Sequence, residues 1–357
     1  MKALIAAGGK GTRLRPITYS MNKHMIPLAN IPMIEYAIKN VASAGITEIA
    51  ININEGDKEF PEAVGDGSKW NVNITYLEQK GGALGLAHII KNAQEWLGDD
   101  NFIFYLGDNI VVGSLAQFVS NFESTGASGY LALSEVPDPT RFGVPELDDS
   151  GNIIRVLEKP DNPPSQYAVT GIYCYTKEVH EAVNAVEPSA RGELEISDVH
   201  TYMIEKGMPV KYEVVEGWWK DTGTPGDLLA GNNIILQGIT PRNNASVIDG
   251  TVQINGLVSI GEDVALSGNT IINGPVIIGP GATIKDAVIG PHVSVGSNVT
   301  IHQATIQNSI VMDDVVVESD RFFVDSIIGH NARILPMSRE AGVGTHLIVG
   351  ENSQVEL

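Results

Sequence analysis

Cysteine, positive charge and long apolar runs are all scarce in this chain of 357 residues. The single cysteine, Cys174, excludes an intrachain disulfide framework and favours a reducing compartment. Lysine and arginine number 23 against 43 aspartates and glutamates, and this net charge of −20 argues against nucleic acid or an anionic membrane as a partner. We find no signal peptide and no apolar run long enough to span a bilayer, so we expect a cytoplasmic protein.

Two common nucleotide-binding motifs and the usual zinc patterns are also missing. The dinucleotide-binding spacing of three glycines fails because Leu14 stands at the third glycine position. The P-loop fails because Lys10 is followed by Gly11 rather than by serine or threonine. Histidine and cysteine clusters with zinc-ligand spacing do not occur. The sequence therefore argues against those two nucleotide motifs and against zinc.

What the chain does have, at its start, is an apolar run that breaks into glycines and cations. Residues 2–7 leave no room for a polar face, which is typical of a buried parallel strand. Glycines let a backbone approach a ligand closely and present its N–H groups, and cations neutralise the charge that binds there. The pattern predicts a phosphate-binding loop at the end of a strand. Its glycines are Gly8, Gly9 and Gly11, and its polar residues are Lys10, Thr12, Arg13 and Arg15.

Strand and helix patterns alternate along the first two thirds of the chain. Apolar residues at helical spacing predict helices over residues 34–44 and 85–97. This alternation predicts an α/β fold with a Rossmann-like, mostly parallel sheet, in which ligands bind beyond the carboxyl ends of the strands. The predicted strands cover residues 2–7, 49–53, 74–78, 102–106, 128–134 and 153–157.

Near residue 240 the helical periodicity stops, and short β-branched runs punctuated by glycine, asparagine and proline follow. A repeat of this kind predicts a β-solenoid with one turn per repeat and its aliphatic residues inside, with a β-sandwich as the alternative. We therefore predict two domains, residues 1–240 and 241–357. The aliphatic pairs separated by 17 positions are Ile278 and Val295, Ile284 and Ile301, and Ile289 and Ile306.

Charged residues near other predicted strand ends suggest the chemistry. Asp108 follows a glycine at the end of a buried strand, and Asp221 lies at a turn after two tryptophans. Two carboxylates from separate strands could share one Mg²⁺, which prefers oxygen ligands, although a turn-capping role is the alternative for Asp108. Lys23, Glu158 and Lys159 add further charges. From the residues alone we predict a Mg²⁺-dependent enzyme that acts on a nucleotide or a sugar phosphate.

Seven short motifs then occur in one order along nearly the whole chain. Together they resemble the sugar-1-phosphate nucleotidyltransferases, and most closely the branch that uses dTTP and glucose 1-phosphate. The resemblance implies a nucleotidyltransferase domain followed by a left-handed parallel β-helix, as in the long form of that family. The motifs lie at residues 8–16, 23–27, 106–109, 158–160, 167–171, 191–198 and 219–223.

The resemblance also implies roles for individual residues. An oxygen of the sugar phosphate would attack the α-phosphorus of the nucleotide and release pyrophosphate, with Arg13, Lys23 and Asp108 as the catalytic residues. Mg²⁺ would be held by Asp108 and Asp221. The nucleotide would be bound by Gly8, Gly9, Gly11, Thr12, Arg13, Gln79 and Gly85. The sugar phosphate would be bound by Gly143, Glu158, Lys159 and Val169.

Several alternatives stay open at this point. UTP could replace dTTP, because the segment from Gln79 to Gly85 is one residue longer than the family usually has. A bifunctional enzyme could acetylate an amino sugar with His292 or His302 as the base, although we favour both as outward-facing turn residues. A non-catalytic subunit is a third possibility, but it would be expected to lose Arg13 or the two aspartates. Since flat aliphatic repeats pack against copies of themselves, we expect a homo-oligomer, of which a trimer is one form.

Overall fold

A computed structural model describes residues 1–215, 218–336 and 347–356, without the side chains of Val112, Trp218 and Glu356. The chain divides into two compact units. The first contains Met1–Lys10 and Ile34–Asp221, and the second contains Gly11–Met33 and Thr222–Leu357. The boundary near residue 240 that the sequence suggests stays a prediction.

The elements before the solenoid alternate as the sequence predicts. The strands are β1 (Lys2–Ala6), β2 (Pro27–Leu28), β3 (Ile31–Pro32), β4 (Glu48–Asn54), β5 (Asn73–Gln79), β6 (Phe102–Leu106), β7 (Asn109–Val112), β8 (Gly129–Glu135), β9 (Gly143–Leu147), β10 (Ile153–Glu158), β11 (Tyr167–Tyr175), β12 (Val210–Val214) and β13 (Trp218–Asp221). The helices are α1 (Met33–Ser43), α2 (Glu59–Val64), α3 (Leu86–Asn92), α4 (Gln94–Leu97), α5 (Leu115–Thr125), α6 (Val179–Ala185), α7 (Ile196–Glu205) and α8 (Pro225–Gln237). Short 3-10 helices cover Thr12–Leu14, Ile17–Tyr19, Lys23–Met25, Ser68–Trp70 and Pro139–Arg141.

Seven strands of the first unit form one sheet in the order β12-β8-β11-β6-β1-β4-β5. Strand β11 runs antiparallel to both of its neighbours, and the other paired strands are parallel. The run predicted over residues 153–157 is indeed a strand, but it pairs antiparallel with β9 in a separate two-stranded ribbon. The predicted helix over residues 85–97 is divided into α3 and α4 at Ala93.

The interior of the first unit explains why its central strand β1 is apolar. Leu4 and Ile5 of β1 are completely buried, as expected for a parallel strand covered on both faces. Aromatic rings stack beside them, with the Tyr173 and Tyr175 centroids 6.0 Å apart. The buried His200 belongs to this cluster, and its Nε2 lies 2.6 Å from the Tyr175 hydroxyl.

The second unit contains a solenoid built from three sheets of parallel strands. Among the residues that the structure describes, two of these sheets have seven strands and the third has five. Strands β14 to β32 are, in chain order, Arg242–Asn243, Val247–Ile248, Gln253–Asn255, Val258–Ile260, Ala265–Ser267, Ile271–Asn273, Val276–Ile278, Thr283–Lys285, Val288–Ile289, Val293–Val295, Thr300–His302, Thr305–Gln307, Ser309–Val311, Val316–Glu318, Phe322–Val324, Ile327–Ile328, Arg333–Leu335, Ile348–Val349 and Gln354–Glu356.

The 17-residue period is confirmed by the strand register. All three pairs named from the sequence, which begin with Ile278 and Val295, face each other on adjacent strands. Their side chains belong to one aliphatic core that runs along the solenoid. The predicted fold class, a mostly parallel α/β sheet followed by a parallel β-helix, is confirmed.

The second unit also contains the segment from Gly11 to Met33. Asn30 donates from Nδ2 to the carbonyl oxygen of Val295 at 2.7 Å. The buried Oδ1 of Asn232 accepts hydrogen bonds from the Ala29 N–H at 2.8 Å and from the Ser294 hydroxyl at 2.9 Å. These contacts bind the segment to the solenoid.

Two histidines of the solenoid lie at different kinds of position. His292 stands in a turn with φ of 61°. His302 is instead the last residue of a strand, and its Nε2 is 3.8 Å from a carboxylate oxygen of Asp286. Within the described ranges, no helix has the length and apolar character needed to cross a membrane.

Candidate active site

The glycine loop follows β1 directly and is held from the neighbouring strand β4. The N–H of Ala7 donates to the carbonyl oxygen of Asn52 at 2.9 Å, and the N–H of Gly9 donates to Oδ1 of Asn54 at 2.9 Å. A Cβ on Gly8 would lie 3.1 Å from Nδ2 of Asn52, whereas a Cβ on Gly9 would meet nothing within 4 Å. With φ of 116°, Gly9 has a backbone conformation that favours glycine. The loop is therefore held by hydrogen bonds to β4, and at Gly9 it has open space beside it.

A cavity of about 250 Å³ lies at this loop, beyond the carboxyl ends of the parallel strands. Six of the residues predicted from the sequence line it together, although they come from three separate parts of the chain. They are Gly8, Gly9, Gln79, Gly85, Glu158 and Lys159. The remaining lining residues are Ala83, Leu86, Ile89, Arg191, Glu193, Glu195 and Ile196.

Gly85 is required by a close approach between two segments that line the cavity. A Cβ at this position would lie 2.4 Å from the carbonyl oxygen of Leu194. On either side of it, Leu194 donates its N–H to Leu84 at 2.8 Å and accepts from the N–H of Ala87 at 3.1 Å. The predicted base-binding segment is thus joined to the motif at residues 191–198.

Glu158, which also lines the cavity, has three polar side chains as partners. The Ser197 hydroxyl donates to its Oε2 at 2.8 Å, and Arg191 and Lys159 contact its Oε1 at 3.1 and 3.0 Å. Burial alone would raise the pKa of this carboxyl, but the charge of Lys159 and the hydrogen bond from Ser197 more than offset it and lower the pKa. Glu158 is therefore held as an anion that presents acceptor oxygens.

Arg191 is the cation that the sequence assignments missed. Its guanidinium is divided between Glu158 and the buried Glu195, whose Oε1 lies 2.9 Å from it. The pKa of Arg191 is lowered by burial and raised more strongly by Glu195 and Glu158, so that the net shift is upward. The motif at residues 191–198 was recognisable in the sequence, but its spacing could not indicate which strand end this arginine would reach.

Two other predicted sugar-phosphate residues occupy supporting positions. A Cβ on Gly143 would stand 2.8 Å from the Ser197 hydroxyl oxygen, so only glycine leaves that hydroxyl free to bind Glu158. Val169 lies in β11 opposite Leu133 of β8, and it is buried in the core of the first unit. Its side chain is not part of the cavity lining.

The two predicted metal ligands lie near one another on a second ribbon. Strand β13 pairs antiparallel with β7, which places Asp221 opposite Asn109 and next to Asp108. The Asn109 amide donates to Oδ1 of Asp108 at 3.1 Å. Arg141 approaches Oδ2 of Asp221 at 3.9 Å. The sheet register thus brings together two carboxylates that are far apart in the sequence.

Asn109 lies between the two aspartates on the β7–β13 ribbon and is itself held in place by its neighbours. The Trp219 indole N–H donates to its Oδ1 at 2.5 Å, and the Trp219 ring meets the Phe142 ring edge-to-face with centroids 5.4 Å apart. A Cβ on Gly171 would lie 2.6 Å from Nδ2 of Asn109. A glycine and an indole therefore set the position of the asparagine that adjoins both aspartates.

The donor set of this corner fits magnesium. Two carboxylates supply hard oxygen ligands, and Mg²⁺ completes its octahedron with waters and substrate phosphates rather than with an all-protein cage. Within residues 1–215, 218–336 and 347–356, no group of three or more histidine, cysteine, aspartate or glutamate side chains could hold a metal. A two-carboxylate site is below that size, and it remains compatible with the residues present.

The remaining predicted residues belong to the second unit. Gly11 has φ of 53° and accepts from the Thr18 hydroxyl at 2.8 Å, and a 3-10 helix follows it with Arg13 exposed. Lys23 begins another 3-10 helix, in which the buried His24 bonds to Asn22. The assignments of Gly11, Thr12, Arg13 and Lys23 stay predictions.

Comparison with known proteins gives matches along the chain. A model of the nucleotidyl transferase family matches residues 2–238, and a model of the GMPPB C-terminal domain matches residues 272–357. The chain is 41% identical to a glucose-1-phosphate thymidylyltransferase of Streptomyces antibioticus, with 100% of this chain and 99% of that protein covered. It is 40% identical to the low-salt glycan biosynthesis nucleotidyltransferase Agl11 of Haloferax volcanii, with 100% of both covered.

A solved structure is also similar to about two thirds of this chain. A Bacillus anthracis chain in complex with a sucrose has a TM-score of 0.63 and 36% identity, covering 68% of this chain and 98% of that chain. The family model spans the glycine loop, the cavity and the carboxylate ribbon alike. The chain therefore belongs to the nucleotidyl transferase family and is an enzyme of that class.

Proposed function

We propose that this enzyme transfers the thymidylyl group of dTTP to glucose 1-phosphate, giving dTDP-glucose and pyrophosphate. One observation carries the proposal. The glycine loop, Gln79 and the Glu158–Lys159 pair line a single cavity, so features suited to a triphosphate, a base and a sugar phosphate lie side by side. The name of the full-length Streptomyces antibioticus relative, a glucose-1-phosphate thymidylyltransferase, supports the same substrates.

The residues of the first unit suit the two halves of the reaction. Backbone N–H groups of the glycine loop would bind the triphosphate, and the ionised Glu158 would accept hydrogen bonds from sugar hydroxyls. Lys159 and Arg191 would attract the phosphate of the sugar. An oxygen of that phosphate attacks the α-phosphorus, the bond from the α-phosphorus to the bridging oxygen breaks, and pyrophosphate leaves. Positioning and charge neutralisation then do most of the catalytic work.

Charge neutralisation at the α-phosphorus is assigned to further residues. By resemblance to the family, Arg13 and Lys23 would contribute positive charge. Asp108 and Asp221 would hold Mg²⁺, which when bound neutralises phosphate oxygens. We also propose a cytoplasmic location, supported by the single cysteine.

The choice between dTTP and UTP is the finest part of the proposal. The two bases differ by one methyl group, and a pocket distinguishes a methyl by only about 1–3 kcal/mol. The left-handed Gly81, Gly82 and Gly85 shape the segment that would contact the base. UTP is therefore the principal alternative donor.

A matrix of nucleoside triphosphates against sugar 1-phosphates, scored by pyrophosphate release from the full chain, tests the proposal. We expect the highest kcat/KM for dTTP with glucose 1-phosphate, and no release after chelation of divalent metal. A higher kcat/KM for UTP would replace the donor, and release that does not require a sugar phosphate would overturn the function. An added arm with acetyl-coenzyme A and glucosamine 1-phosphate tests the acetyltransferase alternative, for which we expect no free coenzyme A.

We also propose a homo-oligomer formed through the solenoid, with a trimer as one form. Three exposed apolar side chains support this, because they lie together in the first coil: Val247, Ile248 and Ile254 are 54%, 44% and 36% exposed. Sedimentation of the full chain should show a species larger than a monomer, and the double variant Val247→Lys/Ile248→Lys should reduce it. An unchanged oligomer would exclude this coil as the contact.

A further inference from the structure

We propose that His88 orients the side-chain amide of Gln79 and thereby determines which class of base the enzyme accepts. The inference rests on the proposed function, in which Gln79 contacts the base. His88 lies outside every motif identified in the sequence, and it is a positioning residue because it acts through Gln79 rather than on the substrate.

The contact between the two side chains defines one end of the amide. Gln79 ends β5 and is only 5% exposed, and its Nε2 lies 3.0 Å from Nδ1 of His88 in α3. An amide nitrogen only donates, so Nδ1 of His88 accepts, and the ring is neutral with its proton on Nε2. Burial, followed by the positive charge of Lys91, lowers the pKa of His88 and so favours the neutral ring.

The other end of the amide points to the glycine loop. Oε1 of Gln79 accepts a long hydrogen bond of 3.4 Å from Nδ2 of the buried Asn52. The same oxygen is 3.6 Å from the position that a Cβ on Gly8 would occupy. The amide nitrogen of Gln79 therefore faces α3, and its oxygen faces the glycine loop.

This orientation has a consequence for base recognition. At ring position 3, uracil and thymine carry an N–H donor, whereas cytosine carries an acceptor lone pair. A carbonyl oxygen facing that position accepts from the donor and repels the lone pair, and a reversed amide would do the opposite. A fixed oxygen at Gln79 therefore selects uracil or thymine over cytosine.

The reversed orientation is available unless His88 prevents it. Oδ1 of Asn52, a residue that is 1% exposed, has no hydrogen-bond partner among the described residues. If both amides turned over, Nε2 of Gln79 could donate to this oxygen, so the hydrogen bond between the two amides would be kept with its direction reversed. The reversed amide would turn its oxygen towards the lone pair on Nδ1 of His88, so the exchange would also require the ring proton to move from Nε2 to Nδ1, and this requirement opposes it.

Two variants of the full chain separate this role from general packing. His88→Leu removes the acceptor, and His88→Asn keeps one, since Oδ1 of asparagine stands where Nδ1 stood. The measurement is the ratio of kcat/KM for dTTP to that for dCTP, with glucose 1-phosphate as acceptor. We expect His88→Leu to lower this ratio by about tenfold or more, the size of effect when one hydrogen bond is mispaired, and His88→Asn to retain it. His180→Leu, on α6 and outside the cavity, is the matched control and should leave the ratio unchanged.

The ratio does not depend on how much of each variant folds. An unchanged ratio in His88→Leu, or an equal loss in His88→Asn, would overturn the role of His88. Equilibrium binding of dTTP and dCTP to the same variants measures the base preference without turnover. If the unsubstituted enzyme binds dTTP but releases no pyrophosphate, the proposed function fails, and the binding ratio still decides the role of His88.

Discussion

The two units of the molecule use glycine at strand ends for opposite purposes. In the first unit, a Cβ on Gly9 would meet nothing within 4 Å, so the missing side chain leaves room for something that is not protein. In the solenoid, a Cβ on Gly279 would lie 2.6 Å from the carbonyl carbon of Gly296, the residue stacked on it in the next coil. A glycine indicates a ligand only where the space beside it is open.

Acidic and amide side chains show the same contrast. In the solenoid, left-handed turn residues pair from coil to coil, as Asn298 does when its Nδ2 donates to Oδ1 of Asp314 at 3.1 Å. In the first unit, Asp108 and Asp221 come together on a short ribbon at the edge of the candidate site. In the solenoid such side chains bind the neighbouring coil, whereas in the α/β unit Asp108 and Asp221 are candidates for the chemistry of the site.

The largest effect should come from the carboxylate ribbon. Asp108→Asn and Asp221→Asn should each lower kcat by about 100- to 1,000-fold, the cost of removing one group that stabilises charge in a transition state. Thermal unfolding should not change, because neither carboxylate lies in the core. The control is the exposed Asp149→Asn, which should keep full activity, and pyrophosphate release measures all three. Equal activity in the two ribbon variants would remove the metal assignment.

The next effect should come from a stacked glycine and should change stability. Gly279→Ala forces a Cβ against the backbone of Gly296 and should lower the free energy of unfolding by about 3 kcal/mol. Gly226→Ala in α8 is its control, since a Cβ there meets nothing within 4 Å, and it should be neutral or stabilising by up to about 1 kcal/mol. Chemical denaturation measures both. If the two variants unfolded alike, stacking would not be the reason for glycine in the coils.

The smallest effect, taken per pH unit, should be a dependence of stability on pH that belongs to the first unit. Burial lowers the pKa of His200 from its ordinary value of 6.5 to about 3. Since the unfolded state binds a proton below about pH 6.5 and the folded state does not, stability is full above that pH. It should fall by up to about 1.4 kcal/mol per unit as the pH drops towards 3.

Two variants test the source of that slope. His200→Gln should remove it, whereas Tyr175→Phe keeps the buried imidazole, loses only the hydrogen bond to Nε2 and should retain the slope. Free energies of unfolding from denaturant titrations between pH 7 and pH 4 measure it. A slope that persists without His200 would assign the acid sensitivity to other groups.

Local patterns carried most of the fold. Apolar runs that alternate with helical patterns predicted β1, β4, β5, β6 and β8. The signal is clearest for central strands such as β1, because a strand covered on both faces must be apolar. The 17-residue spacing predicted the solenoid register, because each coil repeats the same inward positions. The two-stranded ribbon of β9 and β10 was not separable from the main sheet, since a short apolar run looks the same in either place.

The site was predictable in composition but not in arrangement. Glu158 and Lys159 were identified as charges after a strand, yet the hydrogen bond from Ser197 that fixes Glu158 joins residues 39 positions apart in the chain. His88 lies in none of the motifs, and the motif that begins with Arg191 did not show which carboxylates this arginine would contact, because both roles depend on which distant segments meet. The periodicity of a sequence does not predict which distant segments come into contact.

By itself the sequence determined the two architectures, the glycine loop after the first strand and the residue types able to handle phosphate and magnesium, since these depend on periodicity and on side-chain chemistry. Only the tertiary structure decided that Asp108 lies beside Asp221, that Arg191 is divided between two glutamates, and that the amide of Gln79 lies against His88. Those facts depend on the path by which distant strands return to one edge of the sheet, which burial and register select over the chain as a whole.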